Sequence, residues 1–456
     1  MKPIRSRLAL PGLLAAALLL GAPAGALAQD APTPSPPEAS TLSVSLEEAL
    51  ERASRSNPMV QAARREVEAT RGIRREARSY FLPDLTFTET FSRTDNPVYV
   101  FMGKLTQERF GMMDFAIPSL NRPSPLTNFQ SRAELTLPLF TGGKLTAAYR
   151  AAGLGVEAAE GRSAFAESSL RKGVTEAFYG SLLAREAVSV MDETVKTAEA
   201  HLAQVEAMHR QGLVLDSDLL RMRVFLADMR QQRAARAADA RVAKAYLAYA
   251  MGVAGEVEPR GEFTVPADPL PSLEEAVQAA LAARGDLAAA EREARQAGLG
   301  VRMARADYLP QVGAMAAYEQ DTEDFSGHGK NWMVGVQLRL PLFDGGARSG
   351  RLLLASSREF QAQKALEDAR NRVRVEVQEA LLRSDAAAER VAVTAQSEEQ
   401  ARENQRIVAL RYREGLASIT DLLDADTALT AAALARAQAV HDLIVSRARL
   451  AWAMGK

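Results

Sequence analysis

A motif set written twice constrains a fold more than any other feature, and this chain carries one. Ser45-Leu46-Glu47-Glu48-Ala49 recurs as Ser272-Leu273-Glu274-Glu275-Ala276, and Tyr80-Phe81-Leu82-Pro83 recurs as Asp307-Tyr308-Leu309-Pro310. Both pairs are offset by 227 residues. Leu137-Pro138-Leu139-Phe140-Thr141-Gly142-Gly143 recurs as Leu340-Pro341-Leu342-Phe343-Asp344-Gly345-Gly346, Gly212-Leu213 as Gly415-Leu416, and Asp218-Leu219-Leu220 as Asp421-Leu422-Leu423. These three are offset by 203. Pro83 to Pro138 spans 55 residues and Pro310 to Pro341 spans 31, so one segment differs in length by 24 and the rest keeps register.

The chain begins with a basic segment (Lys2, Arg5, Arg7), an apolar run Leu8 to Leu20 and the small-x-small pattern Ala26-Leu27-Ala28. That order reads as a signal peptide over residues 1–28. The run is too short for a membrane anchor. Residues 29–44 then read as a disordered leader, with four prolines from Ala31 to Ser40. Residues 45–251 form the first repeat, 252–271 a Pro/Gly-rich linker and 272–456 the second repeat. After residue 28 no run of about 18 uncharged apolar residues occurs, so an exported chain of this kind spans a membrane only as a closed β-barrel.

Composition removes most chemistry. The chain has no cysteine, which excludes thiol nucleophiles, disulfide scaffolds and acylation at an N-terminal Cys. His201, His209, His328 and His441 are scattered without metal-ligand spacing, so no metal and no cofactor are expected. Gly298-Leu299-Gly300 lies in a helix before a strand, the wrong context for a dinucleotide loop. A formal net charge of −1 argues against nucleic acid. The chain is not expected to be an enzyme.

Each half carries two alternating segments, at about 84–94 and 129–139, then 311–320 and 331–342. Leu85, Phe87 and Phe91 oppose threonines, and Trp332, Val334, Val336 and Leu338 oppose Met333, Gly335, Gln337 and Arg339. Period two with one apolar face suits a membrane barrel strand and a half-buried soluble sheet alike. The helical stretches separate the two. Residues 142–211 and 345–414 hold no proline and are rich in Ala, Arg, Glu, Gln and Leu, with shorter helices at 217–251 and 420–454. Rods of about 70 residues reach about 100 Å and have no place in a compact domain. They must pack along their length. Pro83 and Pro310 follow a helix and open a strand; Pro138 and Pro341 close a strand and precede a helix. The fold class is mainly α with a small β part. Four strands cannot close a barrel with room inside, so copies must complete it: a dimer gives eight strands and a trimer twelve.

This order of motifs resembles the TolC family of outer-membrane efflux proteins. Its most specific piece is the segment from Arg411-Tyr412-Arg413-Glu414-Gly415-Leu416 to Asp421-Leu422-Leu423-Asp424-Ala425. The resemblance implies a homotrimer whose twelve-stranded barrel in outer-membrane lipid continues into a long periplasmic α-helical barrel. It implies an exit duct for efflux or type I secretion, working with a periplasmic adaptor and an inner-membrane pump of resistance-nodulation-division or ABC type. It places Gly212, Leu213, Gly415 and Leu416 at the periplasmic tip against the adaptor, and Tyr412, Asp421 and Asp424 at the pore constriction. The first half carries His209 in place of Tyr412 and Arg221 in place of Asp424, and Ala417 stands where some members have an arginine. Gly-Leu at each turn is also the ordinary helix stop, with leucine making an apolar contact. The segment from Thr94 to Asn128, with Phe101, Phe110, Phe115 and four prolines, reads as a solvent-exposed loop outside the cell. A soluble periplasmic coiled-coil adaptor or structural protein is the alternative, but it leaves the strands unexplained.

Overall fold

A computed structural model describes residues 42–263, 265, 269–324 and 329–456; the signal-peptide segment and residues 29–41 of the leader lie outside them. The first half runs β1 (Leu42–Val44), α1 (Leu46–Ser56), α2 (Pro58–Ser79), β2 (Asp84–Thr94), α3 (Pro97–Thr106), a 3-10 turn (Met112–Phe115), α4 (Ile117–Asn121), β3 (Leu126–Phe140), α5 (Lys144–Arg210) and α6 (Asp216–Met251). Next come β4 (Val257–Pro259), α7 (Leu273–Ala283), α8 (Gly285–Ala306), β5 (Gln311–Thr322), β6 (Gly329–Arg339), α9 (Ala347–Arg413) and α10 (Ile419–Ala453). The recurring Ser-Leu-Glu-Glu-Ala motif is a helix start. Ser45 and Ser272 each cap their helix reciprocally with Glu48 and Glu275.

Strands β2, β3, β5 and β6 form one antiparallel sheet in that order. Cross-strand neighbours share a face, so the register defines two surfaces. Leu85, Leu135, Ala316 and Val334 make one rung, and Phe87, Ala133, Tyr318 and Trp332 the next. Nearly all the large side chains of these rungs stand exposed. The opposite face carries Thr88, Arg132, Glu319 and Asn331, with Arg132 paired to Glu319 at 2.6 Å and to Glu134 at 2.7 Å.

The helices keep the lateral order of the strands they adjoin. α2 lies along the first part of α5, with Arg64–Glu167 and Arg71–Glu160 ion pairs. α8 lies on another side of that part, through Arg162–Glu293 and Arg292–Glu157, and then meets α9 through Arg370–Glu291. Farther from the sheet α6 replaces α2, through Arg223–Glu206 and Arg230–Glu199, and α10 replaces α8, bridging α5 (Arg449–Glu176) to α9 (Arg390–Asp442). The result is a wall four elements wide, with α2, α6 and β2 along one edge and α9 and β6 along the other.

Two cores stiffen the wall midway. One gathers Val44, Ala49, Phe178, Leu182, Leu247 and Val257; the other gathers Ala276, Val373, Val377, Leu450 and Ala453. Three features differ from the sequence reading. Leu42–Val44, assigned to the leader, pairs in parallel with Val257–Pro259 inside the linker, because Val44 and Val257 together seal the first core. Pro138 does not close its strand. It lies inside β3, opposite Gly313 and beyond the last residue paired to β2, where the register shifts before Phe140; the irregular pairing tolerates the missing N–H. The segment from Thr94 to Asn128 is no bare solvent loop, since it contains α3, the 3-10 turn and α4, with Phe110 edge-on to both Phe101 and Phe115.

Candidate functional site

The candidate functional features are the open edges of the wall and its far tip. On α9, Leu353, Phe360, Val375, Leu382, Val393 and Ile407 all stand exposed. At 100° per residue they fall within an arc of about 60°, a stripe about 80 Å long. The other edge exposes Leu220, Val224, Val242, Tyr246 and Tyr249 on α6, and Met59 and Ile73 on α2. An apolar stripe of that length is far larger than the patches a monomeric surface shows. Among the described residues no helix is long and apolar enough to cross a membrane.

The junctions between sheet and rods are tied by specific side chains. Arg348 is buried and donates to the carbonyls of Pro341 (2.6 Å) and Leu342 (3.2 Å), to Asp344 Oδ2 (3.1 Å), and stacks over Tyr308. The first half uses Lys144 on Asp307 at 2.7 Å. Pro83 and Pro310 stand immediately before β2 and β5, and Pro341 follows β6. Arg348 escaped the sequence reading because only the folded turn brings the two carbonyls to one guanidinium.

At the tip the two long helices end alike. Gly212 and Gly415 take φ of 72° and 73°, a conformation that costs any residue with a Cβ. Each closes a Schellman motif: Gly212 N–H donates to His209 O and Leu213 N–H to Met208 O, as Gly415 does to Tyr412 O and Leu416 to Arg411 O. The leucines make no burying contact. Leu213 is 65% and Leu416 68% exposed, which corrects the apolar-cap reading.

Beyond the turns the halves diverge. Ser418 and Asp421 form a capping box, with the Asp421 carboxylate accepting from Ser418 N (2.9 Å) and Oγ (2.8 Å). Those hydrogen bonds hold the Asp421 carboxyl below its ordinary range. The first half has Leu215 at the corresponding position and no side-chain cap. The Ser-x-x-Asp spacing was the legible signal for the cap. Arg221, the counterpart of Asp424, donates to Thr420 Oγ1 at 2.9 Å and ties one turn to the other. Asp424 stands exposed beside them.

Tyr412 lies inside the tip, 4% exposed, among Val205, Met222, Ile419 and Leu422. Burial, and then the Asp218 carboxylate, push its hydroxyl pKa up. The hydroxyl has no hydrogen-bond partner among the described residues. A polar seam runs just behind the tip core. Glu398 on α9 is buried, which works to raise its pKa, but hydrogen bonds from Arg436 and Arg402 outweigh burial and hold it low. Among the described residues there is no cluster of three metal-ligating side chains.

Three comparisons bear on this geometry. The sequence profile of the outer membrane efflux protein family matches residues 49–253 and 276–456, most of the chain. The chain belongs to the outer membrane efflux protein family. Its family and its structural neighbours are outer-membrane channels, not enzymes. Among curated relatives, Protein CyaE of Bordetella pertussis is 34% identical over 167 residues, covering 36% of this chain and 35% of CyaE. Outer membrane protein OprJ of Pseudomonas aeruginosa is 27% identical over 146 residues, covering 31% of this chain and 30% of OprJ. The matched stretches thus span about a third of each relative's length. Among solved structures, a membrane protein from Pseudomonas aeruginosa superposes with a TM-score of 0.79 at 20% identity, over 90% of this chain and 93% of that one. The VceC outer membrane protein of Vibrio cholerae gives 0.75 at 20% identity, over 90% and 96%. The fold of this efflux-family chain is therefore that of known outer-membrane channels.

Proposed function

We propose that the chain is one third of a trimeric exit duct in the outer membrane, built from two tandem repeats and serving a tripartite efflux or type I secretion system. The observation that carries this reading is the open wall: one edge of α9 and β6, one edge of α2, α6 and β2, and an apolar stripe along α9 left exposed among the described residues. Three copies joined edge to edge give twelve strands, enough to enclose a channel. The exposed rungs around Phe87, Tyr318 and Trp332 then face lipid, with the aromatic row at one interface. The Arg132–Glu319 face lines the lumen. The duct passes substrates received from a periplasmic adaptor and an inner-membrane pump, and selection of the substrate rests with the pump.

The tip is the periplasmic entrance in this reading. Leu213 and Leu416 are exposed knobs held by rigid Schellman turns, suited to an adaptor's helical hairpins. Asp424 from each copy, with the capped Asp421 beside it, brings carboxylates toward one axis and favours cations. Tyr412 acts through the packing of the tip core, and Arg221 on Thr420 supplies the polar tie within the protomer.

The test is purification in detergent, sizing, and reconstitution in a planar lipid film. The expected result is a trimer that conducts steadily and prefers cations. Asp421→Ala with Asp424→Ala lowers cation preference and block by multivalent cations. Recovery as a soluble monomer would overturn the duct reading in favour of a periplasmic coiled-coil protein.

A further inference from the structure

The 24 residues by which the first hairpin exceeds the second have a definite address. Residue parity along the sheet separates the polar face (Asn128, Gln130, Arg132, Glu319, Asp321, Asn331) from the apolar one. The insertion holds the polar face. Gln107, buried, donates from Nε2 to the carbonyl of Thr127 at 2.9 Å and to Asn128 Oδ1 at 2.8 Å. Asn128 in turn donates to Asp321 Oδ1 at 2.6 Å, and Asp321 is only 1% exposed. Asn331 Nδ2 donates to the carbonyl of Thr106 at 3.4 Å, and Arg109 pairs with Glu323. Gly329, the first residue of β6, is pressed so closely that an added Cβ would lie 2.2 Å from Thr106 O and 2.7 Å from Gln107 Cα. On the same face Leu126 packs beneath Gly103 of α3, and both Leu126 and Val100 are buried.

A loop that merely extended the hairpin outward would leave these groups to water. Here a helix end lies across the polar face of the sheet, beyond the Arg132–Glu319 pair and toward the hairpin end remote from the rods. The insertion also exposes apolar side chains to solvent. Met112 is 85% and Met113 84% exposed, and Val98, Tyr99 and Ile117 stand exposed with them. The Phe101–Phe110–Phe115 cluster and the Lys104–Asp114 pair at 2.6 Å give the insertion a fixed shape of its own.

We infer that residues 97–121 form a lid on the lumen side of the outer mouth, whose exposed methionines face the same segment of the other copies across the channel axis. This inference rests on the duct reading, because the polar face is the lumen only in the closed barrel. The duct then has an apolar constriction at its outer end, formed by one half of each chain. A constriction of that kind slows ions and water more than apolar solutes, since it dewets. The first half contributes it and the second does not, because the second hairpin lacks the 24 residues.

The absence of cysteine makes the test direct. Spin labels are placed on Met113→Cys and, separately, on Trp332→Cys of the detergent-purified full chain, and distances between copies are measured by pulsed electron resonance. A lid over the axis gives Met113 distances shorter than those from Trp332, which lies on the outer wall. Met113 distances equal to or longer than those from Trp332 would overturn the lid while leaving the duct intact. No coupling between copies at either position would overturn the assembly itself. As a second readout, deletion of residues 98–121 in an Arg221→Ala background, where the tip tie is removed, raises conductance by about twofold or more. Unchanged conductance in conducting trimers counts against the lid.

Discussion

α5 and α9 are the same element in two places. Both have 67 residues, both start after a left-handed glycine, and both end at a Schellman turn. Their surroundings are opposite. Among the described residues α5 leaves no large apolar side chain exposed, being packed against α2, α6, α8 and α10. α9 exposes eight such side chains from Leu353 to Leu410. A helix in the middle of a wall stabilises its own protomer, whereas the same helix at the edge leaves an apolar stripe that the proposed trimer would cover. The repeat supplied two equal rods, and their position in the lateral order gave them different work.

Three measurements sharpen or break that comparison. The largest effect belongs to paired aspartates. Leu182→Asp in α5 puts a charge in the first core and costs more than about 4 kcal/mol of protomer stability, seen as lost helicity in circular dichroism. Leu382→Asp with Val393→Asp in α9 keeps the helicity and abolishes the proposed trimer on sizing columns. Helicity lost in the α9 variant, or a trimer retained, would erase the distinction between middle and edge.

A smaller effect comes from the turns, where the halves are alike. Gly212→Val and Gly415→Val each force a Cβ into the left-handed region and cost about 1–2 kcal/mol, read as a lower midpoint of thermal unfolding. Equal losses support equal backbone geometry, and a loss at one turn alone contradicts it.

The smallest effect lies just past the turns, where the halves differ. Ser418→Ala removes the capping box and costs about 1 kcal/mol, while Leu215→Ser at the uncapped counterpart gains a few tenths to about 1 kcal/mol. The cap is pH-dependent with a defined sign. The folded Asp421 carboxyl titrates below its unfolded value because Ser418 hydrogen-bonds the charged form. Its contribution is therefore fully present above about pH 4 and is lost as the pH falls through the lowered folded value. Asp421→Asn flattens that dependence, and a tip whose amide exchange ignores acid in this range would exclude the cap as its cause.

Several features were legible from residues alone because they are local. Gly-Leu after a proline-free stretch ends a helix whatever surrounds it, and Ser-x-x-Glu starts one. Alternation from Trp332 to Leu338 needs no partner to be read. Other features depend on which segments meet. Pro138 looked like a strand end and lies at a register shift, because β3 pairs with β5 past the point where β2 has stopped. The Gly-Leu leucines looked like apolar caps and stand exposed, because among the described residues no side chain packs over them enough to bury them. The segment from Thr94 to Asn128 looked like a solvated loop, because only the sheet register reveals that Asn128, Asp321 and Asn331 share the face it covers.

The sequence by itself determined the elements: two sets of rods and strands, their lengths, their stops and the apolar faces they carry. These follow from backbone propensity and side-chain period, which act over a few residues. Only the tertiary structure decided the lateral order that leaves α9 and α6 at the margins, buries Tyr412, and folds the extra segment over the polar face. Those outcomes depend on contacts between residues up to hundreds of positions apart, and no short-range period encodes which faces are left without a neighbour.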